Sequence, residues 1–294
     1  MNQPLLILPF DHRSSFSKNI LGLEGKLNKT QKKEISDLKK IIFEAFLSVQ
    51  KKYRRKNYFG ILVDEEYGLS LLREAKKHSA IVTVPVEKSG QEVLAFEYGW
   101  RFGAHIRKAN PDYVKVLIRY NPLNQEINQR QAVKLKKLDQ FCQKNNYKII
   151  LELLVPPTEA DLKIAKTEKN YNSKLRLTRT IDAIKEIKKM IGVDVWKLEG
   201  FDKSGWQKII KVTGVNSKII FLGRGEDKKM VTTWLKSAIP FKQLIGFAIG
   251  RTIFLETLQK YHAEKITHDQ AIKEIATKFD YFVKLWAGGK KIDL

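Results

Sequence analysis

Apolar residues fall along this chain in two alternating rhythms, and the alternation predicts the fold. Short β-branched or aliphatic runs predict strands at about 5–10, 59–63, 81–84, 113–118, 148–154, 193–198, 218–222 and 244–249. Between them, apolar residues recur at helical spacing over 30–53, 69–78, 91–106, 128–145, 175–190, 205–212, 227–237 and 251–261. A further helix, 268–286, follows the eighth unit. Thr30 and Asn128 are residue types that cap helix N-termini, and Thr267-His268-Asp269 precedes an apolar periodic run. Strict alternation of strand and helix is the pattern of βα units around a parallel sheet. The expectation is an α/β fold, a single (β/α)8 TIM barrel with an additional C-terminal helix, as one domain over residues 1–294. An open doubly wound sheet is the alternative. Against it, the G-x-G-x-x-G fingerprint and the P-loop are absent, and Gly223-Arg224-Gly225 comes too late for a Rossmann first turn.

Length and composition suit this reading. The chain has 294 residues, and barrels of this kind run to about 250 before insertions. No apolar run is long enough to span a membrane, and the start lacks the basic flank and cleavage site of a signal peptide. Cys142 is the only cysteine, so no internal disulfide can form, and a cytoplasmic protein is expected. The net charge of +23, from 55 Lys and Arg against 32 Asp and Glu, raises the question of nucleic acid. Its distribution argues for solvated helix faces: basic pairs such as Lys32-Lys33, Lys136-Lys137 and Lys188-Lys189 lie in different helical segments. A positive field would equally serve an anionic small-molecule substrate. Assembly into a homo-oligomer is left open.

In such a barrel the chemistry gathers where strands end and βα loops begin. Polar residues recur there: Asp11-His12-Arg13 after the first strand, Asp64-Glu65-Glu66 after the second, Lys115 in the fourth, Glu152 in the fifth, and Lys197 with Glu199 in the sixth. Ionisable groups in apolar strands need a partner, because an unpaired buried charge is costly. The plain explanation is an internal salt bridge such as Lys115 with Glu152. Two lysines and a carboxylate on three consecutive strands favour a site instead. A catalytic amine must be neutral to attack a carbonyl, and a second cation nearby with desolvation favours the neutral form. A carboxylate between them can move the protons.

Gly223, Arg224 and Gly225 after the seventh strand, and Gly246, Gly250 and Arg251 around the eighth, fit a phosphate site. Small residues admit the anion to the backbone, a helix N-terminus faces it, and arginine binds it bidentately. A helix cap with a surface salt bridge would use the same residues. Of the five histidines only His12 falls at a strand end, so neither a metal centre nor a cofactor is expected.

Several strings together resemble a known family: Leu8-Pro9-Phe10-Asp11-His12-Arg13, Leu62-Val63-Asp64-Glu65-Glu66-Tyr67-Gly68, Val114-Lys115-Val116-Leu117-Ile118-Arg119-Tyr120-Asn121-Pro122, Asp194-Val195-Trp196-Lys197-Leu198-Glu199, Phe221-Leu222-Gly223-Arg224-Gly225 and Gly246-Phe247-Ala248-Ile249-Gly250-Arg251. They resemble the aldolase-like domain that follows the sugar kinase in bifunctional inositol-catabolism proteins and, more distantly, the tagatose 1,6-bisphosphate aldolases. That resemblance implies a class I, Schiff-base aldolase acting on 5-dehydro-2-deoxyphosphogluconate, with dihydroxyacetone phosphate and malonate semialdehyde as products. It further implies Lys197 as the Schiff-base lysine, Lys115 as the second lysine, Glu152 as the catalytic carboxylate, Asp11 as the acid ending the first strand and Arg251 as a phosphate ligand. Arg224, Gly223, Gly250, Asp64 and Arg13 complete the expected substrate-binding set. Asp64-Glu65-Glu66-Tyr67-Gly68 departs from the family's Asp-Pro-Glu-Tyr-Gly type of loop but keeps Asp64. The chain as read carries no kinase half, so fusion says nothing of its pathway. Other phosphosugar lyases or isomerases on this fold, and a non-catalytic binding or regulatory protein, are the alternatives.

Overall fold

The computed structural model describes residues 3–294; Met1 and Asn2, within the start read above as lacking a leader, lie outside the described residues. Strands β1 (Leu5–Pro9), β2 (Phe59–Leu62), β3 (Ile81–Pro85), β4 (Tyr113–Arg119), β5 (Lys148–Leu154), β6 (Val195–Leu198), β7 (Ile219–Leu222) and β8 (Leu244–Ala248) pair in parallel in chain order. β8 then pairs with β1, and the sheet closes into a barrel. The closed ring excludes the open doubly wound alternative. Closure explains Gly246 better than anion binding does, since any Cβ there would overlap the Leu5 carbonyl on β1.

Side chains alternate across each strand, so one set faces the helices and the other fills the barrel. Leu6, Leu8, Phe59, Ile61, Val82, Val114 and Val116 join the outer core between sheet and helices. Leu5, Ile7, Leu62, Ile150, Val195, Ile220 and Ile245 form a separate cluster inside. Advancing in steps of two from this plug, the inward positions change chemistry. Ile7 leads to Pro9 and Asp11, Tyr113 to Lys115, Ile150 to Glu152, and Val195 to Lys197 and Glu199. The sequence therefore has an apolar barrel floor with charged residues at the C-terminal ends of its strands.

Helix Lys29–Gln50 begins one residue before the expected Thr30, because Asn28 caps it. The Asn28 side chain accepts from the Gln31 amide at 2.9 Å, and the Gln31 side chain accepts from the Asn28 amide at 2.9 Å. Asn128 lies inside helix Gln125–Lys144, where its Nδ2 donates to the Asn121 carbonyl at 2.7 Å. The helix expected over 91–106 forms only as Phe102–Ala109. Ahead of it the chain doubles back, with Glu87 bridging Phe96, Lys88 N–H donating to the Ala95 carbonyl at 2.7 Å, and Glu97 N–H to the Val86 carbonyl at 3.0 Å. The additional helix, His268–Lys290, starts at Thr267 in a capping box with Gln270 and packs against Lys29–Gln50. Its Phe279 stacks among Phe46, Phe59 and Phe247, which joins both helices to the barrel wall. Among the described residues no helix is long and apolar enough to cross a membrane.

Candidate active site

Glu152 and Lys197 are register partners on β5 and β6, so their side chains leave the same face of neighbouring strands. Lys197 Nζ lies 2.9 Å from Glu152 Oε2, and Lys115 Nζ reaches the same oxygen at 2.9 Å. Lys115 also donates to Asp11 Oδ2 at 3.0 Å and to Glu87 Oε1 at 2.6 Å. All five side chains are buried. They line one cavity of about 520 Å³ at the C-terminal end of the barrel, together with Arg13, Gly223, Arg224, Gly250 and Arg251.

The charges sort themselves by neighbour. Burial works against every charged form here. At Glu152 the two ammonium groups of Lys115 and Lys197 overcome burial and hold the carboxyl down at about 2. Asp11 is likewise held well below the usual range, against burial, chiefly by Lys115. For Lys115, burial is outweighed by Asp11, Glu152 and Glu87, so its pKa stands well above the ordinary lysine value. Glu87 behaves oppositely to the other two carboxyls: burial dominates and its pKa is raised. His12 is driven down to about 4 by burial, and is therefore neutral near pH 7.

The cavity is cationic on the β7 and β8 side. Arg251 opens helix Arg251–His262, and its Nη2 donates to the Arg224 carbonyl at 2.7 Å. Gly225 takes a left-handed φ of 80°, and a Cβ there would stand 2.7 Å from the Arg251 guanidinium carbon, so the loop admits the arginine only beside a glycine. Arg224 itself has φ 54°, a conformation that costs a non-glycine residue about 1–2 kcal/mol. Its Nε lies 3.1 Å from Glu199 Oε1, and buried Arg176 holds the other Glu199 oxygen at 3.2 Å. Glu199 is thus clamped between two arginines, two residues along the strand from Lys197.

Two of the residues expected to bind substrate are held by other partners. Asp64 does not enter the cavity. Helix Glu65–Lys77 begins directly after it, so Asp64 is the N-cap: one oxygen accepts from the Tyr67 amide at 2.9 Å and the other pairs with fully buried Lys39. Arg13 lines the cavity, but its guanidinium is committed to Glu97 at 2.6 Å and to the Glu87 carbonyl. It fastens the 87–97 segment over the first strand's end. Two residues about the cavity carry little or no signal in the sequence pattern. Glu87 continues the inward phase Ile81, Thr83, Pro85, which could have found it had the third strand been followed past Val84. Arg176, in a helix far along the chain, gives no local signal.

Comparison with known proteins adds a family and a fold. The family described as "Uncharacterized protein conserved in bacteria (DUF2090)" matches residues 1–290. No curated protein matches the sequence. Among solved structures, Cgl0159 from Corynebacterium glutamicum is similar over 97% of this chain and 86% of its own, with 13% identity and a TM-score of 0.60. A Schiff-base-forming fructose-1,6-bisphosphate aldolase is similar over 95% of this chain and 94% of its own, with 14% identity and a TM-score of 0.56. The YdjI aldolase from Escherichia coli K12 is similar over 98% and 93%, with 9% identity and a TM-score of 0.55. Likeness at such identities establishes the barrel fold.

Proposed function

The chain belongs to that DUF2090 family, and from this premise we propose that it is a class I aldolase in which Lys197 forms a Schiff base with a phosphorylated keto-sugar or keto-acid. The observation that carries the reading is the single oxygen, Glu152 Oε2, standing 2.9 Å from each of two buried lysines. The two amines have unequal surroundings. Lys115 is held by three carboxyl groups, two of them kept ionised, and stays an ammonium, whereas Lys197 has one partner. Lys197 is therefore the amine that can lose its proton and attack, with Lys115 as the fixed cation nearby.

The attack of Lys197 Nζ on the substrate ketone gives a carbinolamine, and loss of water gives an iminium that withdraws electrons. Glu152, ionised, takes the proton from the hydroxyl on the carbon next but one along the substrate. The intervening carbon–carbon bond breaks, its electrons pass to the iminium as an enamine, and an aldehyde leaves. Protonation of the enamine and addition of water release the second product and free Lys197. Arg251, Arg224 and the amides about Gly223 and Gly250 would receive the phosphate at the helix terminus. Asp11 positions Lys115.

The substrate we propose is 5-dehydro-2-deoxyphosphogluconate, cleaved to dihydroxyacetone phosphate and malonate semialdehyde, on the sequence resemblance and the cationic cavity wall. The likeness in fold to a Schiff-base-forming aldolase agrees with the chemistry. Borohydride reduction in the presence of a panel of keto-phosphates, read by peptide mass spectrometry, tests the reading. A reduced adduct on Lys197 is expected. An adduct on another residue, or turnover with no adduct at all, refutes it, and the panel separates this substrate from tagatose-type bisphosphates.

A further inference from the structure

Carbinolamine dehydration needs a proton for the departing oxygen, and Glu152 is ill suited to give it. Two ammonium groups hold Glu152 ionised, so it accepts protons near neutral pH and donates none at rest. Glu87 is placed differently. It lines the cavity and is only 8% exposed, with Oε1 2.6 Å from Lys115 Nζ and a buried Oε2 that has no hydrogen-bond partner among the described residues. A buried oxygen left unpaired costs about 1–3 kcal/mol, so one on a residue that lines a reaction cavity calls for a use. Nor is the side chain on a loose loop. Arg13 grips the Glu87 carbonyl, the backbone bridges to Phe96, and the Val86 amide donates to the Lys115 carbonyl at 2.9 Å.

Resting on the Schiff-base reading above, we propose that Glu87 is a second proton-transfer residue of the cavity, its carboxyl delivering the proton with which the substrate's carbonyl oxygen leaves as water. Charge supports it. Asp11, Glu87 and Glu152 surround two ammonium groups, Lys115 and Lys197, and when Lys197 becomes a neutral nucleophile one ammonium faces three carboxyls. A proton kept on one of them lowers the net negative charge buried there. Asp11 and Glu152 are held ionised by lysine, whereas burial favours the neutral form at Glu87. The other groups facing Glu87 do not reverse this: Arg13 is already paired with Glu97, and His12 is neutral.

The step balances as follows. The carbinolamine nitrogen lone pair forms the C=N bond, the C–O bond breaks with its electrons on oxygen, and that oxygen takes the Glu87 proton and departs as water. Glu87 is left a carboxylate, and it recovers a proton when water adds to the product iminium. Two carboxyls with pKa values pushed apart thus divide acid from base work.

Glu87→Gln keeps the shape and abolishes the transfer. Time-resolved borohydride trapping should show Lys197 adduct formation slowed about 100-fold or more, with KM changed far less. A group that must carry a proton makes kcat fall as pH rises through its pKa, and this alkaline fall should be present in the wild type and absent in Glu87→Gln. Infrared spectroscopy, which needs no turnover, should show a protonated-carboxyl band near neutral pH that the substitution removes. Trapping at the wild-type rate in Glu87→Gln, or a wild type without that band, overturns the role of Glu87 while leaving the Schiff base standing. A wild type that forms no Lys197 adduct with any keto-phosphate overturns the Schiff-base reading, and the role of Glu87 with it.

Discussion

Replacing Lys115 by methionine separates the electrostatic role of this residue from that of Lys197. Lys115 Nζ is the common partner of Asp11 at 3.0 Å, Glu87 at 2.6 Å and Glu152 at 2.9 Å. Its removal strands carboxylates that are buried with it. Breaking a buried ion pair from one side costs about 3–5 kcal/mol, because the remaining charge is uncompensated. At roughly 2–4 °C per kcal/mol for chains of about this size, the melting temperature should fall by some 6–20 °C near pH 7. The pH dependence has a definite sign. Asp11 and Glu152 have depressed pKa values in the folded chain, so their contribution is complete above the ordinary carboxylate range and is lost as pH falls towards their folded values. Lys115→Met forfeits that contribution, so its deficit should be widest near neutrality and shrink as pH falls, beginning above the ordinary carboxylate range because burial makes the stranded carboxyls take up protons early. Lys197→Met is the control: Glu152 keeps Lys115, and the loss should stay under about 2 kcal/mol. Thermal and urea unfolding followed by circular dichroism at several pH values read all three proteins. The reasoning fails if Lys115→Met is no less stable than Lys197→Met at pH 7, or if its deficit is independent of pH.

Glu152→Gln should lower kcat about 10²–10⁴-fold, measured by triose-phosphate release, and should also lower the unfolding temperature in calorimetry, because it leaves the buried Lys197 without its carboxylate. Arg251→Ala should raise KM for a phosphorylated substrate roughly tenfold to a hundredfold through loss of one charge-assisted contact, and weaken competitive inhibition by inorganic phosphate in parallel. Equal phosphate inhibition of variant and wild type would place the anion elsewhere. Gly246→Ala should fail to give a folded barrel, since its Cβ meets backbone on the adjoining strand; a normal yield with a native circular-dichroism spectrum would contradict the closure geometry.

The barrel was legible because each strand is a compact apolar run with a helix behind it. β5 matches its expected bounds, 148–154, to the residue. The strand ends alone bring Asp11, Lys115, Glu152 and Lys197 to one end of the barrel, and the fold sets them in contact. What escaped was decided by competition between local and distant partners. Asp64 had the right phase for the cavity, but a helix starting one residue later claimed one oxygen and Lys39, from a helix earlier in the chain, claimed the other. The 91–106 stretch had helical spacing, yet hairpin-like pairing of 86–88 with 95–97 won over its first half. Arg176 and Glu199 meet only through tertiary packing, which no local pattern encodes.

The pairing of Asp64 with Lys39 bears on how mutations in this protein should be interpreted. That carboxylate stands at a strand end, in a stretch resembling an aldolase loop, and a variant lacking it would be expected to lose activity. The loss would be a folding defect in the guise of a catalytic one, because the side chain ties a helix cap to a buried ammonium and never reaches the cavity. Residual turnover per folded molecule, rather than per milligram of protein, is what distinguishes the two. By the same logic a barrel carrying a well-packed apolar pair in place of the Asp64–Lys39 ion pair should keep its reaction intact.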